Sequence, residues 1–323
     1  MSNQSIDRLT VLGAGVLGTQ IAWHSAVMGK TVVLYDKFEE SVERSKKSVS
    51  GLFRAYQKDD FNIEDLESAR ERLSFSTNLA AAVEQAGLVI ESVPEVIEVK
   101  KEVYAEMASL LKPDTIIATN SSTLLPRYFA EDTGRPDRYA ALHFANVIWK
   151  TNLAEVMGHP GTSDETLEAL TRFSIEIGMV PIPVAREQNG YVLNTWLTQL
   201  MESSLSLVVK GVCTPEDVDR TYLIANRGAS TGPFGMLDVV GMRTVYNITH
   251  HWATVLGDEG RMKQAEWLKT NYLDKGYLGI ESGRGVYSYP NPAYKNEDFL
   301  KVPSLDEVKA IAARARLTSS PKA

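Results

Sequence analysis

The 323-residue chain predicts an α/β fold: a doubly wound sheet in its N-terminal part, followed by an all-α C-terminal part. Three observations carry this expectation. Short β-branched runs alternate with longer helical patterns up to about residue 188, as strands joined by crossover helices do. A glycine triad stands between the first such run and the first helical pattern. After about Gly190 the strand-like runs stop and long helical patterns take over. The length also favours two domains over a single core.

RLTVLG, TVVLYD, LVIESV, DTIIATN and YAALHF read as strands, with MVPIPV (179–184) as one more. The intervening segments, such as GTQIAWHSAVMG and EVKKEVYAEMASLLK, set apolar residues at three- and four-residue spacing, which is helical. A parallel sheet covered by helices on both faces follows. YVLNTWLTQLMESSLSLVVKG is one long helix closed by Gly211. TPEDVDRTYLIANRG, RTVYNITHHWATVL and RMKQAEWLKTNYLDKG continue in helical register. The tail holds SLDEVKAIAARARL, with Ser304 and Glu307 at capping-box spacing. The expected organisation is 1–188, a nucleotide-binding domain; 189–290, a helical domain; and 291–323, an extension with one helix.

At 44% hydrophobic and 23% charged, the composition is that of an ordinary soluble globular protein. A net charge of -7 weighs against nucleic acid or an anionic membrane as the main partner, while leaving room for a local basic patch. The one cysteine, Cys213, excludes an intramolecular disulfide and argues against a thiolate metal cage, so no metal site is expected. The N-terminus lacks a signal-peptide pattern, and no run approaches the ~18 apolar residues of a membrane span. Cytoplasm is the expected compartment.

Gly13, Gly15 and Gly18, with Val16 and Leu17 between them, form G-x-G-x-x-G directly after RLTVL and directly before a helix. Asp36 closes the next strand eighteen residues after Gly18. One glycine makes the tight turn, one admits a pyrophosphate to the backbone, and one lets the helix pack close. Phosphates would then meet unpaired N–H groups at a helix N-terminus. Asp36 would accept from the ribose hydroxyls and repel a 2'-phosphate, which selects NAD over NADP, although Lys37 beside it softens that selection. FAD fits the same fingerprint, but no second flavin-binding half follows. The N-terminal domain is thus expected to be of the Rossmann type.

HFANVIWKTNLAEV places His143 twelve residues ahead of Glu155. A strand rises roughly 3.3 Å per residue, so the two meet only if the chain turns back, and IWKTN offers polar residues for such a turn. Oxidising a hydroxyl needs a base to take its proton, and an imidazole oriented by a carboxylate suits that task. His143 closes YAALHF on the sheet edge where doubly wound folds bind ligands. On its own, a histidine at a strand end is more often a structural residue. His24 within the first helix, His159 before a proline, and His250 and His251 in a helical pattern are less suited. Ser122 in TNSST is compatible with binding a substrate oxygen or with capping a turn. Asn194, an amide in the long helix, is compatible with a substrate contact or with an exposed helix position.

Together these stretches resemble the L-3-hydroxyacyl-CoA dehydrogenases along about residues 7–290. GAGVLGTQIA, Asp36, ESVPEVIEVKKEVY, ATNSSTL, HFANVIWKTNLAEV, GYVLNTWL, GPFGMLDVVGMRT and GYLGIESGRGVYSY carry the resemblance, in the family's order. Within the family the chain is most similar to the diketoreductase-like branch, through ATNSSTLLP and the tryptophan of HFANVIW.

The resemblance implies an NAD-dependent enzyme interconverting L-3-hydroxyacyl-CoA and 3-oxoacyl-CoA, assembled as a homodimer through its helical domain. It assigns His143 as general base or acid and Glu155 as the carboxylate that orients it. Ser122 and Asn194 correspond to substrate-oxygen contacts and Asn146 to the asparagine near the nicotinamide. Asp36, Glu95, Lys100 and Asn120 fall at cofactor positions. The chain departs from the family in two places. HFANVIW stands where many members read HFFNPVP, so Val147 and Trp149 replace two prolines. Leu52 and Asp59 stand where the family's serine and lysine meet CoA, although Arg44, Lys46, Lys47, Arg54 and Lys58 keep the segment basic. The alternative substrates are free β-keto or β,δ-diketo compounds, or a hydroxy acid. A non-catalytic NAD-binding protein has no need of His143, Glu155, Ser122 and Asn194 together. A lysine-based β-hydroxyacid dehydrogenase is disfavoured, because NGYVLNTWLTQL has no lysine ahead of Asn194.

Overall fold

A computed structural model of the chain describes residues 5–213, 215–226 and 233–316. Thr214 and Gly232, which belong to two of the motifs above, and Arg227 and Gly228 at the end of a helical pattern lie outside the described residues. The chain forms two compact units, Met1–Glu202 with Val302–Ala323, and Ser203–Lys301.

The first unit is built on an eight-stranded sheet of order β3-β2-β1-β4-β5-β6-β7-β8. The strands are β1 (Arg8–Leu12), β2 (Thr31–Tyr35), β3 (Leu73–Ser76), β4 (Leu88–Glu91), β5 (Ile116–Thr119), β6 (Tyr139–Phe144), β7 (Leu153–Met157) and β8 (Val180–Val184). Helices α1 (Val16–Val27), α2 (Glu39–Lys58), α3 (Ile63–Arg72), α4 (Leu79–Val83), α5 (Ile97–Ala108) and α6 (Asp164–Glu176) link them. The central strands are buried on both faces, with Val11, Leu34, Ile90, Ile117 and Leu142 fully enclosed, and so read as unbroken apolar runs. Helix α2 instead turns Val42, Ser45, Val49, Phe53 and Tyr56 inward at helical spacing and leaves its cations outside.

The expectation of a parallel sheet needs one correction. β1 to β6 are parallel, but β7 runs antiparallel to β6, and β8 follows β7 in parallel. The reason is the length of the link. Residues 145–152 suffice for a hairpin, whereas a parallel return needs a crossover of about a dozen residues or more. β3 and β7 are short and carry polar residues, so neither stands out as a strand in the sequence.

The tail returns to this unit. Ser304 and Glu307 form the expected capping box at the start of a helical turn that leads into α12 (Val308–Arg314). Val308, Ile311, Ala312 and Ala315 are buried there, in clusters with Ile175 of α6 and with the main core. Helix α7 (Leu193–Val209) begins in the first unit.

The second unit holds α8 (Pro215–Ala225), α9 (Pro233–Val240), α10 (Met242–Leu256) and α11 (Glu259–Asn271). Buried Asp238 of α9 accepts from the N–H groups of Val286 and Tyr287 and from the Tyr289 hydroxyl at 2.8–2.9 Å. A side chain at Gly285 would collide with that carboxylate. The segments PFGMLDVVGMRT and GRGVYSY therefore meet through Asp238.

Candidate active site

The glycine loop has the geometry a dinucleotide needs. Gly13 has a φ of +103°, and a Cβ there would strike the Ser92 backbone. A Cβ on Gly18 would strike the Gly13 carbonyl, so this glycine allows α1 to approach the loop. Gly15 faces open space. Asp36 follows β2 and accepts from the Ala14 N–H at 2.9 Å, bracing the loop, and from the Phe38 N–H at 3.0 Å, closing its own turn. Lys37 does not pair with Asp36; its ammonium lies over the Phe38 ring, 5.1 Å from the centroid. A cleft of about 950 Å³ is lined by Gly13, Gly15, Val16, Asp36, Lys37 and, from α2, Arg44, Ser48 and Leu52, among others. The residues present fit a bound NAD.

A second cavity of about 230 Å³ gathers Leu17, Glu95, Lys100, Asn120 and Ser122, five of the expected site residues. Asn120, Lys100 and Glu95 are held from behind. Asn120 accepts the Phe144 N–H at 2.9 Å, tying the end of β5 to that of β6. The Lys100 ammonium is buried and lies 2.7 Å from Glu91 and 3.3 Å from Glu95. Burial opposes ionisation of Glu95, but hydrogen bonds from Ser121 and Thr123 and the charge of Lys100 outweigh it, bringing the carboxyl down to about 2. That carboxylate thereby orders the TNSST loop in which Ser122 sits.

β6 and β7 pair with His143 opposite Glu155. The turn expected from IWKTN thus brings together residues twelve apart in the chain. His143 Nδ1 lies 2.8 Å from Glu155 Oε2, and Nε2 lies 3.1 Å from Ser122 Oγ. A carboxylate only accepts, so the Nδ1 proton is donated to it and the Nε2 lone pair is left for a proton. Glu155 Oε1 accepts from Val192 and Leu193 N–H at 2.8 and 2.9 Å, at the start of α7, where the helix dipole favours negative charge. Both side chains are almost fully enclosed. Asn194 follows in the first turn of α7 and, among the described residues, makes no hydrogen bond to His143 or Ser122. Asn146 is exposed in the turn after β6.

Three residues of the site escaped the sequence reading. Gln20 of α1 accepts the Val147 N–H at 2.8 Å and fixes the β6–β7 turn. Its signal was an amide within a mostly apolar, buried helix. Glu91 accepts from Lys100, Tyr104, Thr119 and the Val93 N–H. Its signal was an acid closing the apolar run LVIE. Tyr191 had none: its ring stacks on His143, with centroids 4.7 Å apart and planes 18° apart. It adopts a φ of +53°, and its enclosed hydroxyl has no hydrogen-bond partner among the described residues. The first feature costs about 1–2 kcal/mol and the second about 1–3 kcal/mol.

The two replaced prolines change the path of the turn. Val147 has a φ of +58°, which a proline held near -65° cannot adopt. The Trp149 indole lies tilted against the Tyr56 ring, with centroids 4.8 Å apart. Of the other histidines, His24 is structural. Burial brings its pKa down to about 4, and its ring bridges the Tyr56 hydroxyl and the Ile177 carbonyl at 2.8 Å each.

The description "3-hydroxyacyl-CoA dehydrogenase, NAD binding domain" matches residues 8–188, and the corresponding C-terminal domain matches residues 190–289. The mitochondrial hydroxyacyl-coenzyme A dehydrogenase of Sus scrofa is 31% identical over 290 residues, covering 88% of this chain and 91% of the relative. A solved diketoreductase, described in terms of dual catalysis of dicarbonyl compounds, is 41% identical with a TM-score of 0.66, covering 88% of this chain and all of its own. The (S)-3-hydroxybutyryl-CoA dehydrogenase of Ralstonia eutropha is 28% identical with a TM-score of 0.63, covering 89% of this chain and all of its own. With both domains matched in order, the chain belongs to the 3-hydroxyacyl-CoA dehydrogenase family and is an NAD-dependent oxidoreductase.

Proposed function

We propose that the protein interconverts an L-3-hydroxyacyl-CoA and its 3-oxo form, with His143 as the proton acceptor and donor. The observation that carries this is the chain Ser122 Oγ, His143 Nε2, His143 Nδ1, Glu155 Oε2, closed by contacts of 3.1 and 2.8 Å. In the oxidation direction Nε2 takes the hydroxyl proton, while Nδ1 keeps its own proton on Glu155. Glu155 stabilises the imidazolium that forms, and its second oxygen stays anchored on α7. Ser122 and Asn194 would contact the substrate oxygen. The loop Gly13–Gly18 and Asp36 would hold the cofactor, with Glu95, Lys100 and Asn120 as further cofactor positions and Asn146 toward the nicotinamide. NAD supplies the hydride acceptor for oxidation and, as NADH, the donor for reduction.

The test is turnover of acetoacetyl-CoA with NADH by wild type and by His143→Asn. The variant is expected to lose at least ~100-fold in kcat with nearly unchanged NADH affinity. Near wild-type kcat would overturn the assignment.

A second reading keeps the chemistry and changes the substrate to a free β-keto or β,δ-diketo compound. One observation favours it: the carboxylate Asp59 stands where the family pattern has a lysine, and it accepts from Trp149 and pairs with Lys150, so this position supplies no cation to a phosphate. The 41% identity to a diketoreductase points the same way.

The assembly we propose is a homodimer. Ile224, Phe234, Val239, Val240, Val255 and Leu256 of the second unit are more than half exposed, an apolar surface that a second copy would cover. Light scattering should give twice 35.7 kDa, and a monomer mass would overturn it. Among the described residues no helix is long and apolar enough to cross a membrane.

A further inference from the structure

Tyr191 carries a left-handed backbone and an orphaned buried hydroxyl, two unfavourable features at one residue, and its ring lies on the imidazole of His143. Strain of this kind persists only where the surroundings over-determine it, and it concentrates at functional sites. The surroundings here are specific. The next two residues, Val192 and Leu193, direct their N–H groups at Glu155, so the backbone that anchors the carboxylate also sets the aromatic ring. The residue packs in a buried cluster with Leu125, Ala141, Met157 and Val184.

We infer that Tyr191 is a positioning residue: its ring fixes the plane of His143 and stabilises the imidazole when it carries the substrate's proton. The inference rests on the reading of His143 given above. A cation over the face of an aromatic ring, within about 6 Å of its centroid, is attracted to it, and more strongly when both are desolvated. The centroid separation of 4.7 Å and the 18° tilt meet that condition. In oxidation the proton moves from the substrate hydroxyl to Nε2, so charge appears on the ring facing Tyr191. The contact therefore strengthens as the proton arrives and weakens as it leaves.

Other groups face the same imidazole. Glu155 on β7 meets Nδ1, and the uncharged Ser122 hydroxyl meets Nε2. Farther out, Glu91 and Glu95 pair with Lys100, and Glu187 pairs with Arg127. Burial, followed by the fields of Glu155, Glu95, Glu91 and Glu187, pushes the Tyr191 phenol up, so it stays protonated and acts through its ring. The ring, not the hydroxyl, is thus the working part.

The experiment compares wild type, Tyr191→Leu, Tyr191→Phe and His143→Asn. Acetoacetyl-CoA and a β,δ-diketo ester are each offered with NADH across pH, and NADH affinity is measured by titration. Tyr191→Leu should lose at least ~10-fold in kcat with NADH affinity within about two-fold of wild type. Reduction needs the protonated imidazole, so its alkaline fall in rate should move to lower pH by roughly 0.5 to 1 unit. Tyr191→Phe keeps the ring and should restore most of the lost turnover and the wild-type pH profile. If Tyr191→Leu no longer binds NADH, Tyr191→Met supplies the same comparison at similar volume. Wild-type turnover and pH profile in the leucine variant would overturn the inference. So would a phenylalanine variant as impaired as the leucine one. If His143→Asn is inactive while Tyr191→Leu is normal, only this inference falls. If His143→Asn is fully active, the reading beneath it falls.

Discussion

Trp149 of the β6–β7 turn donates its indole N–H to Asp59 at the end of α2, at 2.7 Å. The Lys150 ammonium meets the other oxygen of the same carboxylate at 2.9 Å. Gln20 holds the turn from the other side through the Val147 N–H. The residues that follow His143 are thereby held at two points, which a non-glycine residue at a φ of +58° requires. Asp59→Ala should loosen the turn and lower kcat by roughly 3- to 10-fold, since small displacements near the reacting groups are costly. Steady-state kinetics check this, with Lys150→Met expected to stay close to wild type because the Lys150 side chain is exposed.

Glu155→Gln should slow turnover mainly through kcat. A neutral amide stabilises the imidazolium less well, and its N–H can select the other tautomer. A pH–rate profile superimposable on wild type would show that the 2.8 Å contact with His143 does not couple the two in turnover.

Asp36→Ala should narrow the preference for NADH over NADPH. It removes a carboxylate that repels a 2'-phosphate, and it also removes the brace on the Ala14 N–H of the glycine loop, so NADH itself should bind more weakly. Comparing kcat/KM for the two cofactors in both proteins checks this. A wild-type preference for NADPH would assign the choice to Lys37.

Reversing Lys46, Lys47 and Arg54 should raise KM for acetoacetyl-CoA strongly, with kcat modestly affected, if the exposed face of α2 meets the CoA phosphates. Added salt should raise the wild-type KM as well, because exposed charges are screened beyond about 8 Å at physiological ionic strength. For a β,δ-diketo ester the same reversals should change nothing. No acetoacetyl-CoA reduction beside brisk diketo ester reduction would select the second substrate reading.

His24 predicts a pH dependence of stability. Its folded pKa is lowered to about 4 from 6.5, chiefly by burial. Between these values the unfolded chain binds the extra proton, so stability falls as pH drops from about 6.5 through 4 and levels off below. The full effect is on the order of 3 kcal/mol. His24→Gln should flatten the thermal midpoint over that window, as measured by calorimetry.

Local signals in the chain were enough for the alternating strands and helices, the glycine loop, the acid after β2, the capping box at Ser304 and the helical character after residue 190. Each depends on periodicity or on a backbone requirement met within a few residues. The candidate base and its carboxylate were legible as residue types, and the family resemblance paired them. Their contact itself was decided by the hairpin, whose antiparallel register sets His143 opposite Glu155. The other tertiary outcomes share one cause, that side chains distant in sequence decide them. Val147 turns left-handed because Gln20 and Asp59 hold the turn. Asp59 is taken up by Trp149 and Lys150 instead of facing a ligand. The helix at 308–314 packs on α6 because its apolar stripe finds Ile175. Tyr191 reaches His143 because the backbone capping Glu155 turns the ring inward. Sequence periodicity reports which face of an element is apolar; which partner covers it is settled only when the elements pack.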